Sequence, residues 1–191
     1  KALQTSLPAI PMKGGKIMPA ESYKDQRNNV ENPEFYAIWP FRLFGIGTKN
    51  PNAAVTAFKQ RIEKSNAGWQ YDGQVAARAG LTDDAKATLL SKVANSNSNY
   101  RWPASWGPNY DRLPDQTHGA NIMITLQEML LQEVDGKLYV LPAWPKDWDV
   151  SFKLRASANT TVEVVFKAGK FAEVEVTPTS RRKDLRLPAA R

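Results

Sequence analysis

"PDQTHGANIMITLQEMLLQEVDGKLYVLP", Pro114 to Pro142, contains the change of hydrophobic period that decides the fold class. Ile122, Leu126, Met129 and Leu130 recur at helical spacing, and Met123, Ile124 and Leu131 widen that stripe, so a helix is expected from about Ala120 to Glu133. A helix apolar most of the way round is expected in the interior. After Gly136 the period changes, and "KLYVLP" reads as a short strand. Further on, "TVEVVFKAGKFAEVEV" alternates as a hairpin does. Val162, Val164 and Phe166 share one face, Ala172, Val174 and Val176 lie on a face of the partner strand, and Ala168-Gly169 makes the tight turn.

Upstream of this stretch the period is helical. "PEFYAIWPFRLFGIG" carries Phe35, Ile38, Phe41 and Phe44 near helical spacing, with Pro40 as a kink or interruption. "PNAAVTAFKQRIEKS" places Val55, Phe58 and Ile62 along one face. A short helix in "WQYDGQVAARAGL" is expected to end at Gly80. The next begins at the N-cap candidate Thr82, with Asp83 and Asp84 in its first turn and Leu89 and Val93 on one face. The expected class is therefore α + β: helical hairpins first, antiparallel strands afterwards, with "PAWPKDWDV" as the joint. The division follows as an extended lead-in over 1–33, a helical portion over 34–135 and a β domain over 136–191.

Composition narrows the chemistry. The 191 residues include six tryptophans and 42% hydrophobic residues, enough for a folded core. No apolar run approaches the roughly 18 residues of a membrane span, so a soluble chain without a membrane partner is expected. The absence of cysteine excludes disulfides and thiolate chemistry, and a single histidine excludes a multi-histidine zinc site; no metal or cofactor is expected. The net charge of +7 raises the question of nucleic acid. Part of it lies in "RRKDLRLPAAR", where Arg181, Arg182, Lys183, Arg186 and Arg191 oppose only Asp184, which reads as a solvated tail or edge strand. Without a basic stripe, a polyanion partner ranks last. "KALQTSLPAIPMKGGKIMPAESYKDQ" has no signal-peptide pattern and begins as a segment from inside a longer protein would.

The candidate site lies around the one long loop, residues 95–117, where Tyr100, Trp102, Trp106 and Tyr110 argue for an ordered binding surface. The loop leads to Asp115, Gln116 and His118 at a helix start, where free N–H groups favour an anionic side chain or a substrate oxygen. The same residues have a structural reading, with Asp115 or Thr117 as a cap and His118 as a satisfied interior residue.

"NVENPEFYAIWPFRLFG", "GWQYDGQVAARAGL", "PDQTHGANIMITLQEMLLQ" and "GKLYVLPAWPKDWDVSFKLRA" together resemble, in order, the C-terminal part of the six-hairpin glycosidases, close to glycoside hydrolase family 95 and its bacterial relatives. The resemblance covers about Asn29 to Val176. It implies part of an (α/α)6 toroid followed by a C-terminal antiparallel β domain, and a secreted or periplasmic enzyme of polysaccharide degradation. In that family the general base is an aspartate in a Pro-Phe-Gln-Ile-Asp-Gly stretch, ahead of a helix ending Glu-Met-Leu-Leu-Gln. Pro114 to Gly119 falls on that stretch without a gap, Glu128 to Gln132 repeats the ending, and His118 occupies the aspartate's position. The departure leaves the base open between Asp115, His118 and Asp111, with Asp115 favoured and His118 beside it.

An inverting glycosidase also needs a general acid roughly 6.5–9.5 Å from its base. The resemblance implies that the acid comes from earlier in the toroid, on the N-terminal remainder of the enzyme, which becomes a partner; Glu31, Glu34, Asp72 and Asp111 are carboxylates within the chain that match no acid motif of the family. Trp69, Tyr71, Trp102, Trp106 and Tyr110 are candidates for stacking on a sugar, with Gln116 as a polar contact. The function expected is hydrolysis of a terminal sugar from a plant or host glycan. The alternative is a non-catalytic carbohydrate-binding or structural module.

Overall fold

The computed structural model describes residues 7–24, 31–65, 69–94 and 116–188. Over these residues the class is α + β. A small antiparallel pair, β1 (Met12–Lys13) and β2 (Lys16–Ile17), precedes a 3-10 helix at Pro33–Ala37. Four α-helices follow: α1 (Pro51–Lys59), α2 (Asp72–Arg78), α3 (Thr82–Ala94) and α4 (Gln116–Leu130). Two three-stranded sheets complete the fold. One orders β3 (Leu131–Val134), β4 (Lys137–Val140) and β8 (Leu185–Arg186); the other orders β5 (Val150–Ala156), β6 (Thr160–Lys167) and β7 (Lys170–Thr177).

Local chemistry accounts for most boundaries. Gly80, at φ 73°, lets the chain leave α2: its N–H donates to the Ala77 carbonyl, and Leu81 N–H donates to that of Ala76. Asp83 and Asp84 then favour the start of α3. Asp135-Gly136 and Ala168-Gly169 all have positive φ, as two-residue turns between antiparallel strands require.

Several expectations need correction. Pro40 has no N–H to donate, and the helical reading of "PEFYAIWPFRLFG" shrinks to the 3-10 turn; Trp39–Pro40 is cis and Phe41 is exposed. α1 buries Ala53, Ala54, Ala57 and Phe58 rather than a Val55–Phe58–Ile62 face, because the helix ends at Lys59 and leaves Ile62 exposed. Val93 is exposed, and Ala85, Leu89 and Lys92 form the buried stripe of α3. A register shift at Val165/Phe166 pairs Phe171 with Phe166, whose rings meet edge to face at 5.2 Å, and Ala172, expected on the face of Val174 and Val176, is exposed.

The largest correction concerns α4. It begins at Gln116, places Thr117 inside the helix and stops at Leu130, where the chain passes directly into β3. Gln132 Nε2 donates to the Glu128 carbonyl, and Leu141 N–H donates to that of Leu130, so the terminal carbonyls are satisfied from outside the helix. Its buried side carries His118, Asn121, Thr125 and Glu128 with Met129, whereas Met123 (62% exposed) and Leu126 face outward.

Two apolar clusters form the core. One gathers Phe35, Ile38, Phe58, Val75, Leu89 and Met129 from the helical segments; the other gathers Leu138, Val140, Val162, Val164, Phe166 and Val176 from the sheets. Trp144, in the joint, packs against both, held by donation from its indole N–H to the Trp148 carbonyl at 2.9 Å. The basic C-terminal segment is partly tied down. Arg181 pairs with Glu133 at 3.1 Å, Lys137 with Asp184 at 2.7 Å, and β8 joins β4 in parallel, leaving Arg182, Lys183 and Arg186 exposed.

Candidate functional site

A polar ladder joins α2 to α4. Gln74 Nε2 donates to Asn121 Oδ1 at 2.9 Å, the Thr125 hydroxyl reaches Gln74 Oε1 at 3.0 Å, and Arg78 pairs with Glu128 at 3.0 Å. The rungs advance along both helices together, so α2 and α4 run parallel and start at the same end. α3 runs back alongside them, returning Lys92 to the Gln70 carbonyl just ahead of α2. The close approach depends on Gly73: a Cβ there would stand 2.6 Å from the Oγ1 and Cγ2 of Thr125.

The shared starting end collects aromatic and titratable groups. Asn121 Nδ2 donates to the Trp69 carbonyl at 2.7 Å, which ties the segment before α2 to the first turns of α4. Tyr71 lies 5.7 Å from Tyr36 and 6.4 Å from Phe35, ring centre to ring centre. Burial, and then Tyr36, push the Tyr71 hydroxyl upward. Glu31, Asn32, Phe35, Trp69, Gln70, Tyr71 and Asp72 surround a recess of about 10 Å³, room for about one water.

Asp72 is a buried acid of this end. Its Oδ1 lies 2.7 Å from Nε of Arg61, whose guanidinium covers the Phe58 ring at 3.9 Å. Burial pushes the Asp72 carboxyl up to about 6, against the opposing pull of Arg61 and Lys92. At the other end of the ladder, Glu128 accepts from both Arg42 and Arg78 at 3.0 Å. Desolvation raises Glu128 and lowers Arg78, whose side chain is wholly buried.

Of the site residues expected from the sequence, Trp69 and Tyr71 stand half-buried at this end, and His118 lies in the first turns of α4 with 1% of its surface exposed. Gln116 opens the same helix. Asp111, Asp115, Trp102, Trp106 and Tyr110, with Tyr100, lie outside the described residues. Sequence reading passed over Gln74, Lys92, Asn121 and Thr125. The last two fall four residues apart in the run that also holds Glu128, a polar stripe hidden by the apolar one beside it.

Among the described residues no group of three or more acidic, histidine or cysteine side chains is placed to hold a metal ion. No described helix is long and apolar enough to cross a membrane. No protein-family model matches the chain, and no curated protein matches it.

Proposed function

We propose that this chain is the C-terminal portion of an inverting glycoside hydrolase that removes a terminal sugar, with its cleft at the common starting end of α2 and α4. The observation that carries the proposal is the bond from Asn121 to the Trp69 carbonyl. It brings the aromatic segment Trp69–Tyr71 to the helix start at which the resemblance places the general base. Two parallel helices backed by an antiparallel third also fit neighbouring hairpins of an (α/α)6 toroid.

The roles follow from the resemblance and from the burial of His118. A general base must reach a water at the sugar. His118 is enclosed, which favours Asp115 as the base and His118 as its neighbour, with Asp111 as the alternative. Trp69, Tyr71, Trp102, Trp106 and Tyr110 offer flat faces to a pyranose ring, and Gln116 a polar contact. Two buried carboxylates are committed to guanidinium groups, Asp72 to Arg61 and Glu128 to Arg78 and Arg42. Following the resemblance, the acid is assigned to the N-terminal remainder of the enzyme, in a secreted or periplasmic setting. The same commitment favours the second reading, a carbohydrate-binding module without turnover.

Activated aryl glycosides test the two readings, since a good leaving group needs little protonation. With 4-nitrophenyl fucosides and galactosides, Asp115→Asn is expected to abolish nitrophenol release while sugar binding persists. Equal loss of binding and release would remove Asp115 as the base, and sugar binding without release from the unsubstituted chain would favour the module.

A further inference from the structure

Lys92 stands in the last turn of α3 with 2% of its surface exposed, on the stripe it shares with Ala85 and Leu89. An ammonium in such a place destabilises the fold unless its interactions offset the lost hydration. Burial pushes Lys92 down to about 8, with the Asp72 carboxylate acting against the shift. An unbranched apolar side chain would fill the position without that desolvation. Such a side chain would also remove the attraction to the buried Asp72 carboxylate, so charge pairing accounts for part of the lysine's presence.

Its bonding supplies a further reason. Lys92 Nζ donates to the Gln70 carbonyl, and Asn121 Nδ2 donates to the carbonyls of Trp69 at 2.7 Å and Gln70 at 3.4 Å. Two side chains from different helices thus grip adjacent peptide groups. Trp69, Gln70 and Tyr71 form one wall of the recess at the starting end of α2. Movement of these carbonyls would turn both aromatic rings relative to the first turn of α4.

We infer that Lys92 is a positioning residue of the carbohydrate site, holding the Trp69–Tyr71 wall from behind, with Asn121, in fixed relation to the start of α4. The inference rests on the carbohydrate reading for its purpose and on the grip itself for its mechanism.

Lys92→Met tests it, because the substitution keeps the stem and removes the charge and the donor. The reading that decides is local: the amide order parameters of Gln70 and Tyr71 are expected to fall from about 0.85 to below about 0.6, whatever the loss of the attraction to Asp72 does to the urea midpoint. Affinity for the probes L-fucose and D-galactose is expected to weaken about tenfold. A residue that served only stability would lower the urea midpoint and leave these amides ordered.

Unchanged order at Gln70 and Tyr71 would overturn the inference whatever the sugars do. Loosening of the wall with sugar affinity unchanged within twofold would overturn the positioning role. Loosening in a protein that binds neither probe before substitution would uphold the grip and overturn the carbohydrate reading. Should Lys92→Met fail to fold, Asn121→Ala removes the other half of the grip and is read in the same way.

Discussion

Asp72 is a single carboxyl whose environment sets a pH dependence for the whole chain. Burial raises it from 3.8 to about 6 in the folded state, so between those values the folded protein binds more protons than the unfolded one. Stability contributed by the protonated carboxyl is fully present below 3.8 and lost as pH rises through about 6. The loss amounts to roughly 3 kcal/mol. Urea unfolding from pH 4 to 7 is expected to show this decline in the native chain relative to Asp72→Asn; parallel profiles would mean that Arg61 cancels the burial. The acid in "WQYDGQ" was visible in the sequence, but its partner was not. Arg61 lies beyond the end of α1, and only folding brings its guanidinium to Asp72.

At the scale of elements, the sequence was most readable where the determinants are local. Alternation and an Ala-Gly turn suffice for the β6–β7 hairpin, and Gly80 followed by Thr-Asp-Asp suffices for the break between α2 and α3. α4 is the helix the period predicts, and Met129 and Leu130 of its apolar stripe are buried, whereas Met123 and Leu126 are not. Hydrophobic period ranks Met123 and Leu126 as interior, yet the cost of burying a polar residue is offset when a partner satisfies it. Gln74 and Arg78 of α2 do this for Asn121, Thr125 and Glu128.

That account makes a prediction for the ladder. Glu128→Leu leaves the buried Arg78 guanidinium without its carboxylate and is expected to cost about 3–5 kcal/mol in denaturant unfolding. The double variant Arg78→Met, Glu128→Leu is expected to recover most of that loss. Additive losses in the double-mutant cycle would show that packing volume, not charge pairing, holds α2 to α4.

For the whole molecule the question is whether the helical and β cores unfold together. Trp144 is among the few side chains that touch both clusters, and it lies in the short joint between β4 and β5. Trp144→Ala is expected to cost about 3–5 kcal/mol. It is also expected to split a single calorimetric transition into two, as two cores lose their shared contact. One cooperative transition at a lower temperature would mean that the α4–β3 continuity couples the cores without Trp144.

By itself the sequence determined the α + β class, the order of the α-helices before the two three-stranded sheets, the tight turns and the helix stop at Gly80. These depend on period and on backbone preferences acting over a few residues. It also marked Trp69, Tyr71, Gln116 and His118 as residues worth locating. Only the tertiary structure decided that α4 buries its polar side, that Lys92 and Asn121 grip the carbonyls before α2, and that Asp72 meets Arg61. These pairings join residues far apart along the chain, and the free energy of burying a polar group depends on a partner that no local pattern specifies.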